Sequence, residues 1–465
     1  MTARTQRLRD PVHGLIVFRE ESDLDQLAWR LLDSPEFQRL RRIRQLGVSE
    51  FVFPNATHTR FAHSVGVFHT ARQLIGIIGR EIHGAQDFDE QRAEVAVIAA
   101  LLHDLGHGPF SHTFEGVQRS RGVAKRHEQW TAEIVRNPDG RIRPLLDEYG
   151  PEERDFTEEV AALLEAEDPV DIYHAVVSSS FDADRLDYLR RDRYMTGTGA
   201  GAIDFDWLME QVRVSEIALD AADVGDGEEE VKVATFCLDP KALPAAEQFL
   251  LARYTLQEQV YFHKATRCTE HMIGRLLRRV ATLSEDRGTA PENTGLESDH
   301  VLLRFFGEDG DTVENYLSLD DVAVMGAFER MQHAGDPVVS ELAARLRERR
   351  LYKTLDLRAE FGHDDGRQRQ AARRIDAAFK KELAEESAIK DDFAALSIYS
   401  QIGGDEDRMH KKLHILDANG PREITELSRY IKALAEKQTL TRYYFANDAD
   451  REQAREIGHR RRGAQ

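Results

Sequence analysis

The chain has 465 residues, two to three times an ordinary domain, so about three structural units or one large elaborated unit are expected. With 41% hydrophobic and 8% aromatic residues it can bury a sizeable core, which excludes a wholly disordered chain. The sum of 63 Lys+Arg and 83 Asp+Glu leaves a charge of -20, which argues against bulk electrostatic binding of nucleic acid but leaves room for a small basic pocket for phosphate.

In chain order, Leu24, Leu27 and Leu31 predict a first helix, and Phe37, Leu40, Ile43 and Leu46 a second, with Ser34 as cap and Pro35 at its first position. Glu94 to Leu105 is apolar almost all round and predicts a buried helix stopped by Gly106, Gly108 and Pro109. Pro169 to Tyr194 predicts one or two further helices. Val212 to Ala218 and Val231 to Leu238 flank the acidic stretch Asp220 to Glu230 and read as a hairpin. Helix resumes from Leu243 through Val280, Ser284 to Asp299 reads as a polar loop, and GHRRRGAQ at the end reads as a solvated basic tail. The resulting fold class is mainly α, with a helical core over 1–280 (an acidic hairpin near 212–238) and a smaller mixed α+β carboxy-terminal lobe over 281–465. Two cysteines, Cys237 and Cys268, cannot build a disulfide framework, which fits a cytoplasmic protein. No apolar run approaches the ~18 residues of a membrane span, so no membrane partner is expected.

Nine of the 18 histidines fall in the first 127 residues, and this crowding directs attention to metal chemistry. His103-Asp104 ends the buried helix, where a charged Asp is costly unless paired or bound to metal. His107 is four residues on, and His112 follows the Gly108-Pro109 break. Upstream, Arg60 and His63 share a helix face; downstream, Asp184, Tyr188 and Asp192 recur at four-residue steps. Two imidazoles and two carboxylates suit Mn, Fe, Zn or Mg. The same dipeptide at His363-Asp364 lies in an exposed polar run and is given no function.

The spacing of His63, His103-Asp104 and Asp184 is that of the HD phosphohydrolase signature. QLGVSEFVFPNATHTRFAHSVGV and LLHDLGHGPFSHTFEG resemble the deoxynucleoside triphosphate triphosphohydrolases, in particular the vertebrate sterile-alpha-motif/HD-domain branch. The resemblance runs from Asp10 to about His271 and, more weakly, to Lys353. It implies His63, His103, Asp104 and Asp184 as ligands of one divalent ion, and His107, His112 and His127 around the phosphate under attack. His127 is assigned as proton donor to the leaving 5′-oxygen. Arg60, Arg185 and Arg253 match positions that contact the triphosphate, Arg185 standing where the branch usually has lysine. Gln45, Tyr188, Asp192 and Tyr261 match residues lining the deoxyribose.

By the same resemblance, Asp33, Gln38 and Arg41 would grip an activating GTP, while Lys264, Arg349 and Lys353 would meet a neighbouring activator nucleotide. Arg9, Leu15 and Asp239 depart from the family pattern at a second activator pocket. Such sites lie between subunits, so the resemblance implies a tetramer or dimer. The core is expected to begin within about ten residues of Met1, with no sterile-alpha-motif domain ahead of it. The expected activity is metal-dependent hydrolysis of dNTPs to deoxynucleoside and tripolyphosphate. The alternatives are an HD enzyme acting on another nucleotide or on single-stranded nucleic acid, and a non-catalytic nucleotide sensor.

Overall fold

The computed structural model describes residues 4–82, 87–151, 153–199, 203–219, 232–401, 404–405 and 408–460. The chain opens with an antiparallel hairpin, β1 (Gln6–Asp10) and β2 (Gly14–Phe18), turned at Gly14 with φ +73. Helix α1 (Asp23–Leu32) follows, capped by the Ser22 hydroxyl, and then α2 (Pro35–Arg39), capped by Ser34 with Pro35 at its first position. The second helix tightens into a 3-10 turn at Leu40–Arg42 and stops short of the predicted Leu46. Phe37, Leu40 and Ile43 are nonetheless all fully buried, so the apolar repeat marked burial on a segment that turns extended at Ile43.

Two long helices cross the centre: α3 (Arg60–Glu81) and α4 (Glu90–Leu102). Every residue of α4 from Val95 to Leu102 is buried, and each larger aliphatic there contributes about 2 kcal/mol by leaving water. Packed around them are α5 (His112–Ser120), α6 (His127–Arg136), α7 (Ile142–Tyr149), α8 (Phe156–Glu165), α9 (His174–Val177) and α10 (Ala183–Thr196). The last two occupy the predicted helical stretch 169–194, α10 running two residues past its end. After α11 (Phe205–Glu210) comes the expected hairpin, β3 (Val212–Ala218) paired antiparallel with β4 (Lys232–Leu238); its acidic tip lies outside the described residues.

The helix expected over 243–280 is divided. α12 (Leu243–Leu256) runs into a π-helical turn, Gln257–Tyr261, before α13 (Lys264–Leu283). Such a turn re-aims side chains and is frequent at functional sites. The predicted polar loop after α13 holds a short helix, Ala290–Thr294, begun by Pro291 and ended at Gly295 with φ +71. Further on, a three-stranded antiparallel sheet (Lys353–Asp356, Gln438–Phe445, Ala388–Leu396) is covered by helices Asp365–Ala378 and Asp448–His459. The last of these helices takes up the start of the expected basic tail, and residues 461–465 lie outside the described residues. Strands His414–Asp417 and Gly420–Glu423 return to the β3–β4 hairpin, where His414–Asp417 pairs in parallel with β4 to make one four-stranded sheet. Among the described residues no helix is long and apolar enough to cross a membrane.

Candidate metal centre and nucleotide cleft

Three elements converge on one point: the first turn of α3 supplies His63, the end of α4 supplies His103, and the first turn of α10 supplies Asp184. Their ligand atoms all lie within 4.8 Å of one another. His63 Nε2 is 2.9 Å from Asp184 Oδ1, and His103 Nε2 is 3.8 Å from the same oxygen. His103 Nδ1 donates to the Ala100 carbonyl at 2.8 Å, which leaves Nε2 facing the site. Both Nε2 atoms are buried without a hydrogen-bond partner among the described residues. Burial opposes a charge on His63, but Asp184, Asp187 and Asp104 around it push its proton affinity up to about 10. A pocket with two orphaned imidazole nitrogens and such a demand for positive charge fits a divalent cation. Asp104 sits at the edge of this group, with Oδ1 3.3 Å from His103 Nε2 and Oδ2 2.7 Å from Arg60 Nη1. Burial would raise its pKa, but Arg60 foremost, then His103 and His107, hold the carboxyl well below the usual range.

Behind His63 lies a buried network that the motif reading did not include. His63 Nδ1 is 2.8 Å from Asp187 Oδ2, and Asp187 also pairs with His13 Nε2 at 2.6 Å and with Arg191 at 2.7 and 2.9 Å. Arg191 reaches on to Asp10 at 2.8 Å. A carboxylate on the far nitrogen of a metal-binding histidine fixes ring orientation and raises basicity. Gly66, one turn along α3, makes the space: a Cβ there would fall 1.9 Å from Asp187 Oδ1.

The turn from His103 to Ser111 is held by residues distant in sequence. Arg39, fully buried, donates to the carbonyls of Leu105 at 3.1 Å, His107 at 2.9 Å and Leu319 at 2.8 Å. The Tyr316 hydroxyl donates to Gly106 O at 2.6 Å while its ring stacks on Trp130 at 4.0 Å. Phe110 and Ser111 take φ of 55 and 51, strained for side-chain-bearing residues. They are pinned there by Asp321, which accepts from Phe110 N at 2.7 Å, and by Arg60, whose guanidinium donates to Ser111 Oγ at 2.7 and 3.1 Å. The helix therefore does not continue to His107; this turn brings its ring beside Asp104, 3.2 Å from Oδ1.

His107, His112 and His127 form one cluster. The rings of His107 and His127 stack at 3.9 Å, and His112 lies 5.8 Å from the first and 6.0 Å from the second. Glu115, absent from the sequence reading, ties two of them together, 2.7 Å from His127 Nδ1 and 3.4 Å from His112 Nδ1. Burial lowers the affinity of His127 for a proton, but Glu115, with Glu128 and Asp104, raises it above the ordinary imidazole value. His107 goes the other way, driven well down by burial and then by Arg60 and His127. The proton affinities of the two stacked rings are thus pushed in opposite directions.

These groups open on a cleft of about 490 Å³. Of the residues expected at a substrate site, Gln45, Arg60, Tyr188, Asp192 and Tyr261 line it, together with His103, Asp104, His107, His112, His127 and Asp184. Asp192 accepts from the Tyr261 hydroxyl at 2.7 Å and pairs with His58 Nε2 at 2.8 Å, a partner the sequence did not suggest. Gln45 Oε1 is buried without a hydrogen-bond partner among the described residues. Two expected triphosphate contacts are placed elsewhere: Arg185 is buried and paired with Asp182, and buried Arg253 is not among the lining residues. The candidate activator residues are at the surface. Arg41 donates to Gln38 Oε1 at 2.8 Å and lies 3.5 Å over the Phe61 ring, near exposed Asp33. Lys264 is exposed, Arg349 donates to the Phe51 carbonyl at 2.7 Å, and Lys353 pairs with Asp448 at 3.3 Å. The dipeptide His363-Asp364 is a helix cap, Asp364 accepting from Arg367 N at 2.9 Å.

Comparison with known proteins agrees with this geometry. The HD domain model matches residues 60–189, and the HD associated region matches 229–309 and 298–444. The Bacillus subtilis protein YwfO is 30% identical over 426 residues, covering 90% of this chain and 86% of its own. Human deoxynucleoside triphosphate triphosphohydrolase SAMHD1 is 32% identical over 293 residues, 57% of this chain and 43% of that protein, so the match spans less than half of the human enzyme's length. A phosphohydrolase from Bacteroides thetaiotaomicron superposes with a TM-score of 0.68 at 25% identity, over 95% of this chain and all of its own. With the HD domain placed over α3 to α10 and the associated region after it, this chain belongs to the HD-domain phosphohydrolase family.

Proposed function

We propose that the chain is a metal-dependent dNTP triphosphohydrolase acting in the cytoplasm, which releases deoxynucleoside and intact tripolyphosphate. One observation carries the reading: two orphaned imidazole nitrogens and Asp184 meet at the floor of a cleft whose rim carries a Glu115-tied histidine pair. His63, His103 and Asp184, with Asp104 beside them, would hold a divalent cation, which would lower the pKa of water and polarise a phosphoryl oxygen. Water adds to the α-phosphorus and gives up a proton to solvent, the bond to the 5′-oxygen breaks, and that oxygen takes its proton from His127, which regains one from solvent. Glu115 raises the affinity of His127 for a proton, as a donor requires, while burial and Arg60 lower that of His107, nearly parallel to it. Gln45, Tyr188, Asp192 and Tyr261 hold the deoxyribose, with Tyr188 as the gate against a 2′-hydroxyl. GTP or a dNTP bound at Asp33, Gln38 and Arg41 activates a dimer or tetramer, with Lys264, Arg349 and Lys353 meeting a neighbouring nucleotide.

The SAMHD1 relatives are named for this activity, which supports the substrate class. The test is product analysis over dNTP and NTP panels with Mn or Mg, with and without GTP. Tripolyphosphate from dNTPs is the expected result, and orthophosphate or pyrophosphate as the sole product rejects the reading.

A further inference from the structure

On the side of α10 turned away from the cleft lies a second cavity, of about 540 Å³, a volume in the range of small-molecule sites. α10 serves both. Asp184, Tyr188 and Asp192 line the cleft at four-residue steps, whereas Arg190, Arg193 and Gly197 line the second cavity on the opposite face. Its other walls are the hairpin turn at Pro11 and Val12 and the residues from Ile203 to Asp206 that open α11. Val12 precedes His13, whose Nε2 meets Asp187 behind His63, so the cavity abuts the network that seats the metal ligands. It shares no lining residue with the cleft and includes none of the candidate activator residues.

The two arginines of this cavity lack the carboxylates that hold their neighbour. Arg191, between them in sequence, is locked by Asp187 at 2.7 and 2.9 Å and by Asp10 at 2.8 Å. Arg190 donates to the Val12 carbonyl at 3.2 Å and lies 3.9 Å over the Phe205 ring, with no carboxylate at ion-pair distance among the described residues. Burial works against its charge more strongly than the surrounding carboxylates support it. The Arg193 guanidinium has no hydrogen bond or ion pair among the described residues, and its Nε is buried. Three residues apart, the two cations share a helix face, where like charges repel unless an anion lies between them. The carboxylates that line the cavity do not fill that place: Asp204 caps α11, accepting from Trp207 N at 3.3 Å, and Asp206 is exposed without an ion pair among the described residues. At the rim, next to Arg193, stands Tyr194, a large ring left 63% exposed.

We propose that this cavity binds a small organic phosphate, with Arg190 and Arg193 taking the phosphate and Tyr194 packing against a planar ring attached to it. Guanidinium N–H groups match phosphate oxygens in both geometry and charge, and an aromatic ring at the rim offers its face to a second ring. The assignment does not depend on which reaction the cleft performs.

The probe is phenyl phosphate, with inorganic phosphate beside it, titrated by ligand-detected NMR into the Mg-loaded full-length chain. Phenyl phosphate should bind the parent, and Arg190→Gln and Arg193→Gln should each weaken it about tenfold. Tyr194→Ala should weaken phenyl phosphate and leave inorganic phosphate unaltered, while His127→Asn, in the cleft, should change neither. Arg193 has no partner to lose and Tyr194 is exposed, so both variants should keep the parent's thermal denaturation profile. No binding by the parent, or affinity within about twofold of the parent in both arginine variants, overturns the site. Loss of binding in His127→Asn overturns it too, since the anion then lies in the cleft. A ring that adds nothing over inorganic phosphate, with both arginines still required, upholds the phosphate site and rejects the planar ring.

Discussion

Replacing Asp187 with asparagine isolates the contribution of the carboxylate behind His63. Its Oδ2 receives His63 Nδ1 at 2.8 Å and Arg191 Nε at 2.7 Å, and its Oδ1 receives His13 Nε2 at 2.6 Å and Arg191 Nη2 at 2.9 Å. Asparagine keeps the shape but turns one oxygen into an NH₂, so two of these four contacts become donor against donor. Removing one partner of a buried pair outright costs about 3–5 kcal/mol; the isosteric amide retains half the bonds, and about 2 kcal/mol of stability should be lost. The metal should suffer separately. Loss of a carboxylate partner from a ligating histidine weakens binding about 10–100-fold, equivalent to about 1.4–2.8 kcal/mol. Chelator-competition titration with Mn, run beside thermal denaturation with and without metal, measures both. A folded variant whose Mn affinity stays within about twofold of the parent would refute the orienting role, whatever its stability.

Other perturbations test neighbouring steps. Gly66→Ala places a Cβ 1.9 Å from the same carboxylate oxygen and should lower Mn affinity in parallel with Asp187→Asn; parent-like affinity would show that the network yields without consequence. Asp184→Ala should abolish metal binding and hydrolysis, and wild-type turnover would remove it from the ligand set. Glu115→Gln tests the proton donor. The raised pKa of His127 keeps its acid form, and the stability that pairing contributes, in full below the ordinary imidazole value; both are lost as pH rises through the raised value. Without the Glu115 charge, burial dominates and the alkaline limb of the kcat profile should move to lower pH; an unmoved limb rejects His127 as the acid. Arg41→Ala should leave metal content intact and remove stimulation by GTP, and equal stimulation in variant and parent excludes Asp33, Gln38 and Arg41 as the activator site.

The candidate metal residues His63, His103, Asp104 and Asp184 were marked in the sequence by their resemblance to a family motif, because a metal site constrains residue type and spacing, and the fold brings His63, His103 and Asp184 within 4.8 Å of one another at helix ends. The buried α4, the Ser34-Pro35 helix start and the β3–β4 hairpin were legible from local pattern. The supporting contacts were not. Asp187 meets His13 across 174 positions, Arg39 reaches Leu319 across 280 and Tyr316 reaches Gly106 across 210, and a polar residue in a sequence does not reveal its distant partner. The repeat at Phe37, Leu40 and Ile43 shows the limit in the other direction, since burial imposed an apolar pattern on a segment that leaves the helix at Arg42. Which arginines face the cleft was likewise settled by packing. Asp182 takes Arg185 into the protein, whereas α5 and α13 present Arg119 and Arg278 to the cleft, because side-chain direction follows from how helices pack and not from which residue type each carries.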